Sequence, residues 1–290
     1  HSGYKTKTQS KQRMRIDSHQ HYWRYTTDEF GWIDNRMSVI RRDFLPDEFA
    51  DVLRTNGIDG SIAVQARQTD LETEWLLQLA NRYEHIRGVV GWIDLQAGNA
   101  ADQLVEFARH PKAVGVRHVL HDEPDIHFML RPQFMAGVRL LSELKLTYDI
   151  LIFPEHLPNT LRFVSQLSEN QTFVVDHVAK PSIKTGKLSP WKEQIRELAA
   201  HPNVYCKLSG MVTEANWPNH RTDDFRPFFD AVFEAFGPDR LMFGSDWPVC
   251  LVAEEYHRWL ARVTEAISVF TPGEQEKIMG LNALKVYQLI

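Results

Sequence analysis

Eight short runs rich in Val, Ile, Phe and Tyr recur along this chain at intervals of about 26 to 44 residues. That spacing fits strand–helix–strand units, because a parallel neighbour needs a crossover of a dozen or more residues. The runs cover residues 15–21, 60–66, 87–95, 114–120, 146–153, 172–178, 203–209 and 240–245. Most are near-continuous apolar stretches, as expected of a parallel sheet covered on both faces. Helix signals lie between them. Pro46-Asp47-Glu48 opens a helix that Gly57 ends, and residues 70–83 place Leu71, Trp75 and Leu79, with Leu76 alongside, on one apolar face. Ser189 reads as an N-cap with Pro190 at the first helical position, and Thr271 to Glu274 has capping-box spacing. Eight such alternations predict a (β/α)8 barrel, with an open doubly wound sheet as the second architecture.

No Gly-x-Gly-x-x-Gly follows the first run and no Gly-Lys-Ser/Thr loop is present, which weighs against nucleotide-binding α/β folds. At 290 residues, 43% hydrophobic and 24% charged, the chain can bury a large core in one domain. No low-complexity linker divides it, so residues 14–290 are expected to form that barrel. Residues 1–13 are polar and basic and read as a disordered or appended tail, with Met14 as the expected start. The net charge of −5 points to neither a nucleic-acid nor a membrane partner. No apolar run approaches the roughly 20 residues that cross a bilayer, and a cytoplasmic location is the expectation. Cys206 and Cys250 are the only cysteines, which excludes a disulfide framework and a Cys-based zinc motif. Nothing in the sequence fixes an oligomeric state.

In a barrel, chemistry gathers at the C-terminal ends of the strands. Those ends carry His19 and His21, Gln65 and Arg67, Trp92 and Asp94, then Arg117 and His118 with His121 in the following loop. Tyr148 and Asp149 come next, then Asp176, His177 and Lys180, then Lys207 and Ser209, and finally Ser245, Asp246 and Trp247. Ionisable groups heading for a core are costly to bury without partners. Many single members, Asp149 or Asp176 among them, would be accounted for by backbone bonds or a neighbouring Arg or Lys. His19 and His21, two apart on a strand, point the same way and make half a metal site or a proton-handling pair. Asp246 follows an apolar strand in Gly244-Ser245-Asp246-Trp247-Pro248, where Gly allows close approach and Pro stops the strand. A carboxylate so placed can take a proton from water and bind a cation.

These residues resemble the amidohydrolase superfamily: Asp17-x-His19-x-His21 on the first strand, His177 on a later one, Asp246 on the eighth. Longer blocks resemble its sugar-lactonase branch, which includes L-fuconolactone and L-rhamnonolactone hydrolases. They are Gly115 to Leu120 with Asp122-Glu123-Pro124-Asp125, Leu146 to Asp149, Asp176 to Pro181, Cys206 to Gly210 and Phe243 to Cys250. The resemblance runs from about Arg15 to the C-terminus. It implies a distorted (β/α)8 barrel that hydrolyses a sugar (aldono)lactone, such as that of a 6-deoxyhexonic acid, to the free acid. His19, His21, His177 and Asp246 would form the centre, with Asp246 activating water. The same four would hold a divalent metal, zinc first; without one, imidazole and cationic donors would stabilise the oxyanion. Arg67, Arg117, His121, Tyr148, Trp32, Lys207 and Trp247 are the candidates for binding the lactone, with an ion pair to a strand-end Asp as the other role for Arg117.

The chain also departs from the family pattern. Its fourth strand carries Arg117 and His118 where binuclear members use a lysine, so a two-metal centre is not expected. The fifth run ends without the His many mononuclear members use, and His156 lies three residues on. His121 stands where relatives commonly have Gln, which bears on substrate choice. A metal-dependent decarboxylase of the same superfamily is the alternative enzyme. A sugar-binding barrel without turnover would lack the water-activating carboxylate that Asp246 supplies.

Overall fold

A computed structural model describes residues 14–289, so the expected tail at 1–13 lies outside the described residues. Each apolar run forms a strand: β1 (Ile16–Gln20), β2 (Gly60–Val64), β3 (Ile86–Gly91), β4 (Ala113–Val119), β5 (Thr147–Leu151), β6 (Phe173–Val175), β7 (Val204–Leu208) and β8 (Leu241–Phe243). All neighbours pair in parallel, in chain order from β1 to β8. Between them run α1 (Pro46–Asn56), α2 (Asp70–Arg82), α3 (Ala100–Ala108), α4 (Pro132–Arg139), α5 (Leu157–Ser165), α6 (Trp191–Ala199) and α7 (Thr222–Phe236). After β8 come α8 (Tyr256–Ala266), α9 (Pro272–Glu276) and α10 (Asn282–Val286). This is the (β/α)8 barrel. Among the described residues, no helix is long and apolar enough to cross a membrane.

Two apolar clusters account for the two faces of the sheet. Ile16, Ile62, Val64, Val90, Val174 and Met242 fill the barrel, and Ala283 and Val286 of α10, with Tyr287 just after it, pack onto them. The larger cluster lies between strands and helices. β8 meets β1 through single bonds at the site itself. Asp246 N–H donates to His19 O at 2.8 Å, His21 N–H to Trp247 O at 2.7 Å, and Ser18 Oγ to Phe243 O at 2.6 Å.

Local signals set most helix ends. Gly57 caps α1 in the left-handed region at φ 65°, and both bonds of the Thr271–Glu274 capping box form. Two expectations are corrected. On α2 the buried face is Glu72, Thr73, Leu76, Leu79 and Ala80, whereas Leu71 is 75% exposed. A short apolar pattern fits two helix faces, and the Glu72 carboxylate decided between them: it accepts the Ala66 and Arg67 N–H groups and turns Leu71 outward. Helix α6 starts at Trp191, with Pro190 as N-cap, because the Ser189 hydroxyl donates to Glu193 Oε1 at 2.8 Å instead of capping the backbone.

Candidate active site

The C-terminal strand ends open into a cavity of about 380 Å³. Its floor carries His21, Arg117, His177 and Asp246, with His19 buried just beneath. A register change brings the two β1 histidines there. Asp17 pairs with Ser61 and Gln20 with Ala63, so β1 advances by three residues where β2 advances by two. This bulge slips the side-chain alternation by one. Ile16 can then fill the barrel interior while His19 and His21 also turn inward. The Asp17 carboxylate pins the bulge across the seam, accepting His19 N–H at 3.1 Å, Ser245 N–H at 2.9 Å and the Tyr256 hydroxyl at 3.1 Å.

His177 and Asp246 are placed by backbone that L-residues rarely adopt. After β6, His177, Val178, Ala179 and Lys180 have φ of 55°, 47°, 60° and 49°, and Asp246 has φ 58°. Each left-handed residue costs about 1–2 kcal/mol, the kind of strain found at functional sites. Tertiary contacts hold it. His177 Nδ1 lies 2.8 Å from Ser209 Oγ, and the ring lies so close to Gly210 that a Cβ there would overlap it.

Three imidazole Nε2 atoms converge on one carboxylate oxygen. Asp246 Oδ1 lies 3.2 Å from His21 Nε2, 3.7 Å from His19 Nε2 and 3.8 Å from His177 Nε2. His19 and His21 bring their Nε2 atoms within 3.2 Å of each other. His21 Nδ1 is 2.8 Å from Val64 O, an atom that only accepts, so the neutral ring carries its proton on Nδ1 and a bare lone pair on Nε2. A lone pair facing a carboxylate oxygen at this distance is satisfied only by a cation or a shared proton. Ligands around a tetrahedral zinc stand roughly 3.3–3.4 Å apart, within the observed range, so His19, His21 and Asp246 fit a divalent metal, with His177 Nε2 3.8 Å from the same oxygen. Burial drives His19 and His177 well below the ordinary histidine pKa, against the pull of Asp176 and Asp246 respectively. Burial pushes Asp246 up, but the His177 and His21 imidazoles outweigh it and keep the carboxyl below its ordinary value. Neutral imidazoles and an ionised carboxylate are the forms a metal binds.

The substrate candidates separate. Arg117 lines the floor and also makes the ion pair that was its other expected role: Nη1 lies 3.0 Å from Asp176 Oδ2, and Nε and Nη2 donate to Oε1 and main-chain O of Gln65. Trp32 and His121 reach the wall, and burial lowers the His121 pKa against the nearby Asp122. Arg67 does not reach it, because it turns to Glu29 at 2.6 Å and a separate small cleft. Tyr148 points outward onto Phe134 and Phe163, since alternation on β5 directs Asp149 inward. Trp247 stacks on Phe49 in the helix layer, with ring centres 4.5 Å apart. Lys207 is fully buried against Asp149 and Asp176, below the cavity. Trp92 and Asp94 also lie outside the cavity wall, and His118 stacks on Phe128 behind β4. Met37, Phe153 and Trp217 line the wall without having been singled out. Met37 and Trp217 come from segments between the runs, where no periodicity marks them, and Phe153 ends the fifth run just past β5. Lys180 and Glu214 pair there at 3.1 Å.

The amidohydrolase family profile matches residues 16–289. An L-fucono-1,5-lactonase from Burkholderia multivorans is 41% identical over 287 residues, covering 95% of this chain and 96% of that protein. An L-fucono-1,5-lactonase from Burkholderia ambifaria is 36% identical over 280 residues, with the same coverage of both. The crystal structure of an amidohydrolase from Burkholderia multivorans with bound zinc superposes with a TM-score of 0.92 at 41% identity, covering 96% of this chain and 100% of that one. Profile, identity and superposition span the barrel from its first strand to its last helix: the chain belongs to the amidohydrolase family.

Proposed function

We propose that this protein hydrolyses the ester of a sugar 1,5-lactone, a 6-deoxyhexonolactone of the L-fucono type, to the free aldonic acid. The observation that carries this is the convergence of three imidazole Nε2 atoms on Asp246, with Arg117 Nη1 3.4 Å from His19 Nε2, at the floor of a sugar-sized cavity. The ring size and sugar follow the two lactonases that match nearly the whole chain.

Asp246, kept ionised, takes a proton from a water on the cavity floor. The water oxygen attacks the lactone carbonyl carbon. The negative charge that develops on the carbonyl oxygen is met by the Arg117 guanidinium, which Gln65 and Asp176 hold rigid. The bond from that carbon to the ring oxygen then breaks, and Asp246 returns its proton to the departing oxygen, now a hydroxyl. His19, His21, His177 and Asp246 would hold a divalent ion, zinc being the first choice because a structure of a close relative contains it. Such an ion supplies Lewis acidity to the carbonyl and lowers the pKa of water. His121 and the Lys180–Glu214 pair offer hydrogen bonds to sugar hydroxyls, and Trp32, Met37 and Trp217 offer apolar contact to the ring.

A pH-indicator assay over a panel of aldonolactones tests this. L-Fucono-1,5-lactone should release acid, and Asp246→Asn should lower kcat by two or more orders of magnitude while the circular dichroism spectrum is kept. Failure of every 1,5-lactone to release acid, with zinc supplied, would sink the proposal.

A further inference from the structure

The wall of the cavity is polar on one side and apolar on the other. Its strands follow one another in chain order around the barrel, so the arc from β4 to β7 faces the arc of β8, β1 and β2. The loops of the first arc supply His121, Lys180 and Glu214. Lys180 Nζ lies 3.1 Å from Glu214 Oε1, and both side chains stay partly open to the cavity. Such a pair sets a donor beside an acceptor, which matches two neighbouring sugar hydroxyls. Lys180 Nζ and the His121 ring both lie against Phe153, 5.1 Å and 4.6 Å from its ring centre, so the three polar groups stand together. Val119 and Leu151 also line this side, but they are the last residues of β4 and β5, and the polar groups follow them in the loops.

The facing arc supplies Trp32, Met37, Ala66 and Val249. Asp34 and Arg36 stand there too, but they bind each other at 2.7 Å and are exposed, which puts them at the rim. A hydroxyl pressed against this arc would find no free polar partner below that rim, and burying an unpartnered hydroxyl is costly.

The chemistry of ring opening gives the same direction by a separate route. In a 1,5-lactone the carbonyl carbon C1 is flanked by the ring oxygen on one side and C2 on the other. Asp246, just past β8, returns its proton to the ring oxygen as that bond breaks, so the ring oxygen lies towards β8. C5, bonded to the ring oxygen, and the C6 group it carries follow on that side. C2 and C3 with their hydroxyls are then turned towards the loops after β4 to β7.

We infer that the cavity sorts the sugar by its two edges: Lys180, Glu214 and His121 bind the C2–C3 hydroxyl edge, and Met37 and Val249 enclose C6, so that the feature selected there is a methyl group rather than a hydroxymethyl group. The ring-oxygen part of this inference rests on the lactone-hydrolysis reading; the two unlike walls do not.

The test compares L-fucono-1,5-lactone with L-galactono-1,5-lactone, which differs from it only by a hydroxyl on C6. Wild type should favour the first in kcat/KM by roughly 10- to 100-fold, the range in which an apolar pocket rejects an added hydroxyl. Met37→Gln gives that hydroxyl a partner and should narrow the preference about tenfold. Lys180→Met combined with Glu214→Leu removes both charges of the pair, and should lower kcat/KM on both lactones by roughly 10- to 100-fold without changing the ratio. Equal wild-type rates on the two lactones overturn the inference and leave the hydrolysis reading standing, and that measurement needs no variant to fold. A ratio that moves with the Lys180 and Glu214 changes and not with Met37→Gln also overturns it, because the ring would then lie the other way round. If neither lactone is hydrolysed, the hydrolysis reading falls, and the walls are tested by titration calorimetry with L-fucono- and L-galactono-1,5-lactam, whose amide resists hydrolysis. The same preference in Kd then supports two unlike walls, and equal or undetectable binding overturns them.

Discussion

His177 and Asp246 illustrate what a single residue carries here. Both lie in the left-handed region, and neither is Asn or Gly, so surrounding contacts must hold them there. Gly210 is the contact that has no substitute. It is itself at φ 61°, and a Cβ would occupy the space of the His177 imidazole. Gly210→Ala should therefore displace His177, lower kcat roughly 10- to 100-fold and destabilise the protein by about 1–2 kcal/mol. Urea melts and steady-state kinetics check this together; unchanged kinetics would mean that His177 is not needed where it stands. The residues themselves were legible in the sequence, as two histidines two apart, a later His and an Asp after an apolar strand. The left-handed turns were not, because nothing in Asp176-His177-Val178-Ala179-Lys180 favours that conformation.

At the scale of elements, α2 shows how a polar group overrides an apolar pattern. Leu71, Trp75 and Leu79 suggest one face, yet the helix is rotated so that Glu72 is 1% exposed and caps the loop after β2. Burial pushes the Glu72 carboxyl from 4.5 up to about 7, against the Ala66 and Arg67 contacts that lower it. A carboxyl raised in the folded state binds its proton more tightly there than in the unfolded chain. Its contribution to stability is full below pH 4.5 and is lost as pH rises through about 7. Glu72→Gln cannot titrate. The stability difference between wild type and this variant should therefore shift against wild type by up to about 3 kcal/mol as pH rises from 4.5 to 8. Denaturant midpoints across that range measure it; a difference constant with pH would refute it.

Across the whole molecule, the weakest join of the barrel is where β8 meets β1. It is held by a few bonds around Asp17, His19 and Asp246 rather than by a ladder like the other seven. His19 and His21 stand on one side of this seam and Asp246 on the other. A metal bound by them would clip the two ends of the sheet together. Binding to the folded state alone stabilises by about 2.7 kcal/mol at a hundredfold excess over Kd. Zinc should thus raise the midpoint of calorimetric unfolding, chelator should lower it, and His21→Ala should lose most of the dependence. A wild-type midpoint indifferent to zinc would argue for a centre that works through Arg117 and the imidazoles alone.

Alternating apolar runs and helix punctuation determined the barrel by themselves, because each strand and helix must bury its apolar side and a closed parallel sheet satisfies all eight. The floor of the site was readable for the same reason: polar residues at strand ends in such a fold have one place to converge. Only tertiary structure decided which of them face the cavity. Arg67, Tyr148, Lys207 and Trp247 were drawn to Glu29, to the helix layer and to the buried carboxylates. Each choice turned on a partner distant in sequence or on a one-residue slip of register, and neither leaves a mark in local spacing.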